Sequence, residues 1–231
     1  MNAMDWKSLQ QHIIDCRQCP RLVAWREQVA LEKRAAFRDQ EYWGRPVPGF
    51  GDLHARVMVV GLAPCAHGSN RTGRMFTGDA SGDFLYPALH RTGFCNQPSS
   101  LKRGDGLELK DIFISAVGRC APPQNKPTRQ ELMNCRPFLL QEIELLPELQ
   151  GFVALGGIAF QHLLEIMQVH YGVIFPTKPK FAHGAFYHFP HAPWLLASYH
   201  PSRQNTQTGR LTEEMFEDIW TTTRAELNKS G

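Results

Sequence analysis

Short apolar segments alternate with longer segments of helical periodicity along most of the chain. Short apolar runs predict strands that are buried on both faces. The strand candidates are 57–62, 112–117, 152–156 and the segment "WLLASYHPS" that begins at Trp194. Helices are predicted at 5–18, 21–38, 80–92, 128–146, 157–169 and 212–227.

This alternation predicts an α/β fold, a three-layer α/β/α sandwich around a four-stranded, mainly parallel sheet with an N-terminal helical extension. We expect a single domain over 1–231, in which 1–50 holds helices and a Gly/Pro-rich segment and 51–231 forms the core. The stretch "EYWGRPVPGFGD" is too rich in Gly and Pro for regular structure. The segment "AFYHFP" is a short edge-strand candidate.

The composition narrows the class of protein without naming a partner. The chain has 231 residues and a net charge of +3, which fits a nucleic-acid partner but does not require one. No apolar run approaches the roughly 20 residues of a membrane helix. The start "MNAMDWKSLQQHIIDC" lacks the basic start and apolar core of a signal peptide. We therefore expect a cytoplasmic protein that binds no membrane.

The segment "GLAPCAHGSNRTGRMFTGDASG" joins the first strand candidate to a helix. It lacks the Gly-Lys pair of a P-loop and the glycine spacing of a dinucleotide-binding turn. Its polar side chains, among them Arg71, Arg74 and Asp79, predict a loop that wraps a planar or extended ligand. Asp79 has a simple structural alternative as the N-cap of the following helix. A lone phenylalanine such as Phe76 ordinarily packs in a core.

Two later loops also follow strand candidates, and ligands bind at the carboxyl ends of such strands. In "GRCAPPQNKPTRQE" the prolines stiffen the chain around Asn125, which either reads a base edge or forms an Asx-turn. In "HPSRQNTQTGRLT" His200 either stabilises a developing anion or is an ordinary solvated histidine. The donors in this loop that suit phosphate are Ser202, Arg203, Asn205, Thr206 and Arg210.

Six cysteines in a chain expected in the cytoplasm argue against a disulfide framework. Cys16 and Cys19 have the Cys-x-x-Cys spacing, and Cys120 and Cys135 lie farther along the chain. A zinc ribbon would usually show two such pairs. One close pair with two dispersed thiolates therefore favours an iron–sulfur cluster. A metal-free thioredoxin-like pair is the alternative, but no strand precedes Cys16.

Four segments together resemble the cluster-containing uracil-DNA glycosylases, and within them the B-type, also called family five. They occur in the family's order: "YWGRPVPGFGD", "GLAPCAHGSNRTGRMFTGDASG", "RCAPPQNKPT" and "HPSRQNTQTGRLT". Leu62 stands where the A-type carries a glutamate and the B-type an apolar residue. Cys65 departs from the family's more usual "GLAPA", and we expect little functional change from it.

The resemblance implies roles for individual residues. It implies that a [4Fe-4S] cluster is held by Cys16, Cys19, Cys120 and Cys135. It implies catalytic roles for Asp79, Asn125 and His200. The flipped base is then expected to stack on Phe76 and to contact Gly61, Leu62 and Ala63. The residues expected to contact DNA are Arg71, Arg74, Ser202, Arg203, Asn205, Thr206 and Arg210.

The implied activity is that of a DNA-repair hydrolase. Such a monofunctional uracil-DNA glycosylase flips uracil out of double-stranded DNA, and also out of single-stranded DNA, and leaves an abasic site. The resemblance further implies a tolerant pocket that admits hypoxanthine, and nothing in the sequence requires more than a monomer. Two alternatives stay open at this point: a non-catalytic iron–sulfur protein that binds damaged or single-stranded DNA, and a zinc-stabilised α/β protein of unrelated function.

Overall fold

A computed structural model describes residues 5–229. The strands are β1 Phe50–Gly51, β2 Val57–Gly61, β3 Ile112–Ala116, β4 Gly151–Leu155, β5 Phe186–Phe189 and β6 Ala192–Ser198. The helices are α1 Trp6–Ile14, α2 Pro20–Glu32, α3 Ser69–Thr72, α4 Ala80–Arg91, α5 Arg129–Glu144, α6 Gly157–Val169, α7 Arg203–Gln207 and α8 Glu213–Lys229. Short 3-10 helices occupy Ala35–Phe37 and Pro123–Asn125. Within residues 5–229 no helix is both long and apolar enough to cross a bilayer.

The strands form one mixed sheet in the order β1-β3-β2-β4-β6-β5. The inner four strands are parallel, and each edge strand is antiparallel to its neighbour. This arrangement confirms the predicted α/β fold, and the four predicted strands are the four inner ones. Strand β5 lies in the predicted edge segment "AFYHFP".

Strand β1 lies in the Gly/Pro-rich stretch for which the sequence predicts no regular structure. That prediction is therefore wrong for Phe50 and Gly51. The strand is only two residues long and pairs Phe50 with Ile114 and Gly51 with Phe113. Gly51 has a φ of +143°, and a Cβ there would lie 2.4 Å from the carbonyl oxygen of Ile112. The missing side chain is therefore what lets the segment approach the sheet edge.

The sheet separates two apolar cores because successive side chains of a strand point to opposite faces. Val57 and Val59 pack on one face with residues of α4 and α8, whereas Met58 and Val60 pack on the other with residues of α5 and α6. The N-terminal extension joins the second face, where the Trp6 ring lies 4.9 Å from the ring of Phe113. The extension is therefore integral to the packing of the sheet.

Local signals explain where the helices begin and end. Helix α2 ends at Glu32, earlier than predicted, because Lys33 adopts a positive φ of 53°. Helix α5 begins with a capping box formed by Thr128 and Glu131, and it accommodates Pro137 in its interior. Helix α7 forms inside the predicted third loop, which the sequence presents as irregular.

Candidate active site

A pocket opens at the carboxyl ends of β2 and β3, beside His200, which lies two residues after the end of β6. Its wall contains five residues that the sequence predicts to be catalytic or to contact the base: Gly61, Ala63, Phe76, Asp79 and His200. Further wall residues that the sequence did not nominate for substrate contact are Cys65, Ser69, Met75, Ser81 and Ala116. Segments far apart in sequence therefore converge where a parallel sheet is expected to bind a ligand.

Phe76 is held rigidly at the pocket wall. It adopts a φ of +51°, and its backbone N–H donates to the Ser69 hydroxyl over 3.1 Å. A Cβ at Gly61 would lie 2.8 Å from the ring, and one at Gly82 would lie 2.0 Å from the Phe76 carbonyl oxygen. These glycines therefore create the space for this conformation. The Phe76 ring centroid lies 5.8 Å from that of His200.

Asp79 is both the N-cap of α4 and a pocket residue. Its Oδ1 accepts hydrogen bonds from the backbone N–H groups of Ser81 and Gly82, each 3.0 Å long. Its Oδ2 lies against Gly68, where a Cβ would be only 1.9 Å away. Burial raises the pKa of Asp79, and the two backbone hydrogen bonds act in the opposite direction. One oxygen thus serves the helix, and the other is available to a ligand.

His200 follows β6 and presents its ring to the pocket. Burial lowers the pKa of His200 to about 4, so the imidazole is neutral at physiological pH. The His200 carbonyl oxygen accepts hydrogen bonds from the Asn205 side chain and the Ser202 backbone N–H, both 2.8 Å long. Asn205, expected to contact DNA, therefore also fixes the backbone of His200.

Arg71 and Arg74 direct their guanidinium groups into the protein, and each is only 8% exposed. Arg71 donates to the carbonyl oxygens of His67 and Gly78, and its guanidinium lies 4.0 Å from the ring centroid of Phe37. Arg74 pairs with Asp105 over 2.8 Å. These internal contacts occupy the donors that the sequence assigned to DNA.

The loop after His200 leaves several cationic and polar side chains accessible. Arg203 and Arg210 are exposed, and the Arg210 guanidinium lies 4.6 Å from the ring centroid of Tyr199. Ser202 is half-buried, and its carbonyl oxygen accepts a hydrogen bond from the Thr206 hydroxyl. Accessible cations in this loop are therefore concentrated next to His200.

Of the seven residues predicted to catalyse the reaction or contact the base, two lie outside the pocket wall. Asn125 is exposed on its 3-10 helix with a φ of +56°. Leu62 is half-buried and packs against the core on the face of α5 and α6. The pocket wall itself therefore does not contain these two side chains.

The four cysteines expected to bind a cluster converge on one small cavity. Cys16 follows α1, Cys19 caps α2, Cys120 follows β3 and Cys135 lies on α5. Two nitrogen donors point at their sulfurs: Arg26 Nη1 lies 2.9 Å from Cys120 Sγ, and the Asn134 amide lies 3.3 Å from Cys19 Sγ. Within residues 5–229 no group of three or more histidine, cysteine or carboxylate side chains is arranged to hold a metal ion.

A buried ion pair that the sequence analysis missed connects this cavity to the sheet. Arg119 and Glu142 are each 1% exposed and form two hydrogen bonds of 3.0 and 2.7 Å. Glu142 also accepts from the Ser115 hydroxyl on β3 and from the backbone N–H of Gly49. The pair thus fixes the segment that leads into Cys120 against α5, and only the three-dimensional fold reveals it.

Known proteins match most of this chain in sequence. The family model of the uracil DNA glycosylase superfamily matches residues 48–224. A type-5 uracil-DNA glycosylase of Thermus thermophilus is 56% identical over 94% of this chain and 95% of its own length. A type-5 enzyme of Pyrobaculum aerophilum is 45% identical over 90% of this chain and 87% of its own length. A type-4 enzyme of the same organism is 35% identical over 71% of this chain and 67% of its own length. The chain therefore belongs to the uracil DNA glycosylase superfamily and, within it, to the type-5 uracil-DNA glycosylases.

Proposed function

We propose that this type-5 uracil-DNA glycosylase binds a deaminated base flipped out of DNA and hydrolyses its N-glycosidic bond in the pocket beside His200. The observation that carries the proposal is the convergence of Phe76, Asp79 and His200 on one pocket from two distant segments. Together they offer a flat apolar face, a carboxylate and a neutral imidazole. The apolar face suits a stacked base, and the carboxylate suits a sugar that gains positive charge. The imidazole suits the same base when it leaves as an anion.

The base binds against Phe76 in this proposal. Flipping a base costs a few kcal/mol, and less for a mispaired one such as uracil opposite guanine. Stacking on a rigid aromatic ring returns about 1–3 kcal/mol. The fixed backbone at Phe76 means that little conformational freedom is lost when the base arrives.

Asp79 serves the sugar. Its Oδ1 is engaged by two backbone N–H groups, so Oδ2 is the oxygen that faces developing positive charge or accepts a proton of the attacking water. In the described part of the chain no lysine lines the pocket. Water rather than a Schiff-base lysine is therefore the nucleophile, and the product is an intact strand with an abasic site.

His200 serves the leaving base. A neutral imidazole can donate its N–H to a base carbonyl oxygen and stabilise the negative charge that grows there. The low pKa of His200, caused by burial, keeps a full positive charge out of the pocket at physiological pH. The imidazole therefore acts as a hydrogen-bond donor and not as a general acid of ordinary pKa.

The pocket wall supports a broad range of deaminated bases. Among the described residues the wall contains no Asn or Gln side chain that would present a fixed donor–acceptor pair to one base edge. Apart from Met75, the rest of the wall is formed by small residues such as Ala63 and Ala116. We therefore propose release of hypoxanthine as well as uracil.

DNA lies across the loop that follows His200 in this proposal. Arg203 and Arg210 are accessible cations, and Ser202 is a neutral donor beside them. Such groups contact phosphates and fix the register of the duplex without reading its sequence. Asn125, exposed after β3, is proposed to hydrogen-bond the flipped base or to help position the attacking water. The protein acts as a monomer on double-stranded and single-stranded DNA.

The four-cysteine cavity fits an iron–sulfur cluster better than a single ion. A four-cysteine zinc site usually draws its ligands from two Cys-x-x-Cys pairs, and here only Cys16 and Cys19 have that spacing. Cys₄ ligation of a [4Fe-4S] cluster accepts one close pair and two dispersed ligands. Cys16, Cys19, Cys120 and Cys135 would hold it and tie α1, α2 and α5 to the loop that carries Asn125.

A base-release assay tests the proposed function. Duplex oligonucleotides with one uracil, hypoxanthine or thymine at the same position are incubated with the full-length protein and then treated with hot alkali. We expect alkali-dependent cleavage at uracil and hypoxanthine and none at thymine. Intact uracil strands would overturn the proposed activity, and cleavage at uracil alone would overturn the proposed base range.

A further inference from the structure

Arg26 is a buried cation whose guanidinium lies against a cysteine sulfur. It lies on α2 and is 1% exposed. Its Nη1 lies 2.9 Å from Cys120 Sγ, and its Nη2 donates to the Cys16 carbonyl oxygen over 3.3 Å. The guanidinium thus contacts two of the four segments that surround the cysteine cavity.

Carboxylates do not balance this charge. Within residues 5–229 the carboxylate closest to Arg26 is Glu27, whose Oε1 is 3.9 Å away. Glu27 is 41% exposed and is already bound by both terminal nitrogens of Arg17. A fully buried cation whose one carboxylate partner is distant and partly exposed is expensive, so negative charge in the cavity would stabilise it.

Arg119 shows how the same protein treats a comparable cation. It is equally buried, and it forms two hydrogen bonds with the carboxylate of Glu142. Arg26 has sulfur in the place of that carboxylate. The contrast indicates that Arg26 is placed for metal-bound thiolates rather than for a carboxylate.

A second nitrogen donor also points at a cysteine sulfur of the cavity. The Asn134 amide nitrogen lies 3.3 Å from Cys19 Sγ, and its amide oxygen accepts a hydrogen bond from Gln130 over 2.9 Å. Gln130 therefore orients the Asn134 nitrogen toward the sulfur. N–H···S hydrogen bonds and nearby charge are both known to set the potential of an iron–sulfur cluster.

We infer that Arg26 is the buried counter-charge of the four-cysteine site and holds the reduction potential of its cluster above the value that the ligands alone would give. This inference rests on the proposed cluster. The physical reason is that a fixed positive charge stabilises the form that carries one more electron. Arg26 is a positioning residue in this role, because it acts on the cofactor and not on DNA.

Four versions of the full-length protein test the inference: wild type, Arg26→Met, Arg26→Lys and Arg17→Met. The methionine variant at 26 keeps most of the buried volume but loses the charge, and the lysine variant keeps the charge. Arg17→Met removes a cation that is exposed to solvent and screened. Each anaerobically purified protein is titrated with dithionite, which supplies one electron per cluster, and is followed by electron paramagnetic resonance. Iron content and circular dichroism are measured on the same samples.

We expect Arg26→Met to lower the equilibrium constant for reduction about ten-fold or more, a shift of about 59 mV for one electron. Arg26→Lys and Arg17→Met should stay close to wild type. A loaded Arg26→Met protein that titrates like wild type would overturn the inference. If Arg26→Met binds no iron, the test passes to Arg26→Lys. An Arg26→Lys protein that keeps the cluster at the wild-type potential supports the inference. A folded Arg26→Lys protein that has lost the cluster overturns it. Iron-free wild-type protein would overturn the inference together with the proposed cluster, while uracil release would still test the proposed activity separately.

Discussion

Replacing Asp79 separates its role as a helix cap from its role as a charge. The carboxylate caps α4 through Oδ1 and presents Oδ2 to the pocket, so Asp79→Ala removes both functions. Asp79→Asn retains an oxygen for the cap but removes the negative charge. Asn and Asp are about equally good N-caps, which makes Asn the matched control for stability.

The expected sizes of the two effects differ clearly. Loss of an N-cap costs about 0.5–2 kcal/mol, and for a chain of this size each kcal/mol lowers the melting temperature by about 2–4 °C. Loss of one electrostatic group in a catalytic site lowers the rate by about 10²–10³-fold. Asp79→Ala should therefore be slow and less stable, whereas Asp79→Asn should be slow with a melting temperature close to wild type.

Single-turnover release of uracil from a duplex with a U·G pair, together with differential scanning calorimetry, measures both quantities. A wild-type rate for Asp79→Asn would refute the catalytic role of the charge. A fall in melting temperature equal to that of Asp79→Ala would refute the view that the cap needs only an oxygen acceptor.

Three further outcomes follow from the same structure. Gly68→Ala would place a methyl 1.9 Å from Asp79 Oδ2, and the displacement of the carboxylate should slow single-turnover release about 100-fold. Because burial lowers the pKa of His200 to about 4 and raises that of Asp79, the rate should fall toward acid as the Asp79 carboxylate takes up a proton; a rate that rises on acidification would contradict this. Glu142→Gln leaves its buried arginine partner uncompensated and should cost about 3–5 kcal/mol in thermal unfolding, whereas Glu144→Gln, exposed on the same helix, should change little.

The inner sheet was predictable from the sequence because its strands are continuous apolar runs. The runs at 57–62 and 112–117 end within a residue of the observed strands. Strand β1 was not predictable, because two residues carry no periodicity and Gly51 reads as a breaker rather than as a residue that permits close approach. Tertiary pairing and not local preference forms this strand.

The site was predictable where a residue's chemistry coincides with its place after a strand, as for Asp79 and His200. The direction of a side chain was not predictable. Arg71 and Arg74 stand in a polar loop like Arg203, but they fold inward onto carbonyl oxygens and a carboxylate, whereas Arg203 stays exposed. Residue type alone does not reveal whether an arginine meets an acceptor inside the protein or stays exposed to solvent. That depends on contacts between distant segments of the chain.

Phe76, Asp79 and His200 are proposed to form one pocket in which the N-glycosidic bond of a flipped base is hydrolysed. Direct measurement of free uracil released from a U·G duplex by wild type and by an Asp79→Asn, His200→Ala double variant tests it. We expect wild type to release the base and leave a strand that breaks only on treatment with alkali, and the double variant to release almost none. Uracil retained by wild type, a strand cut without alkali, or a double variant as fast as wild type would contradict it.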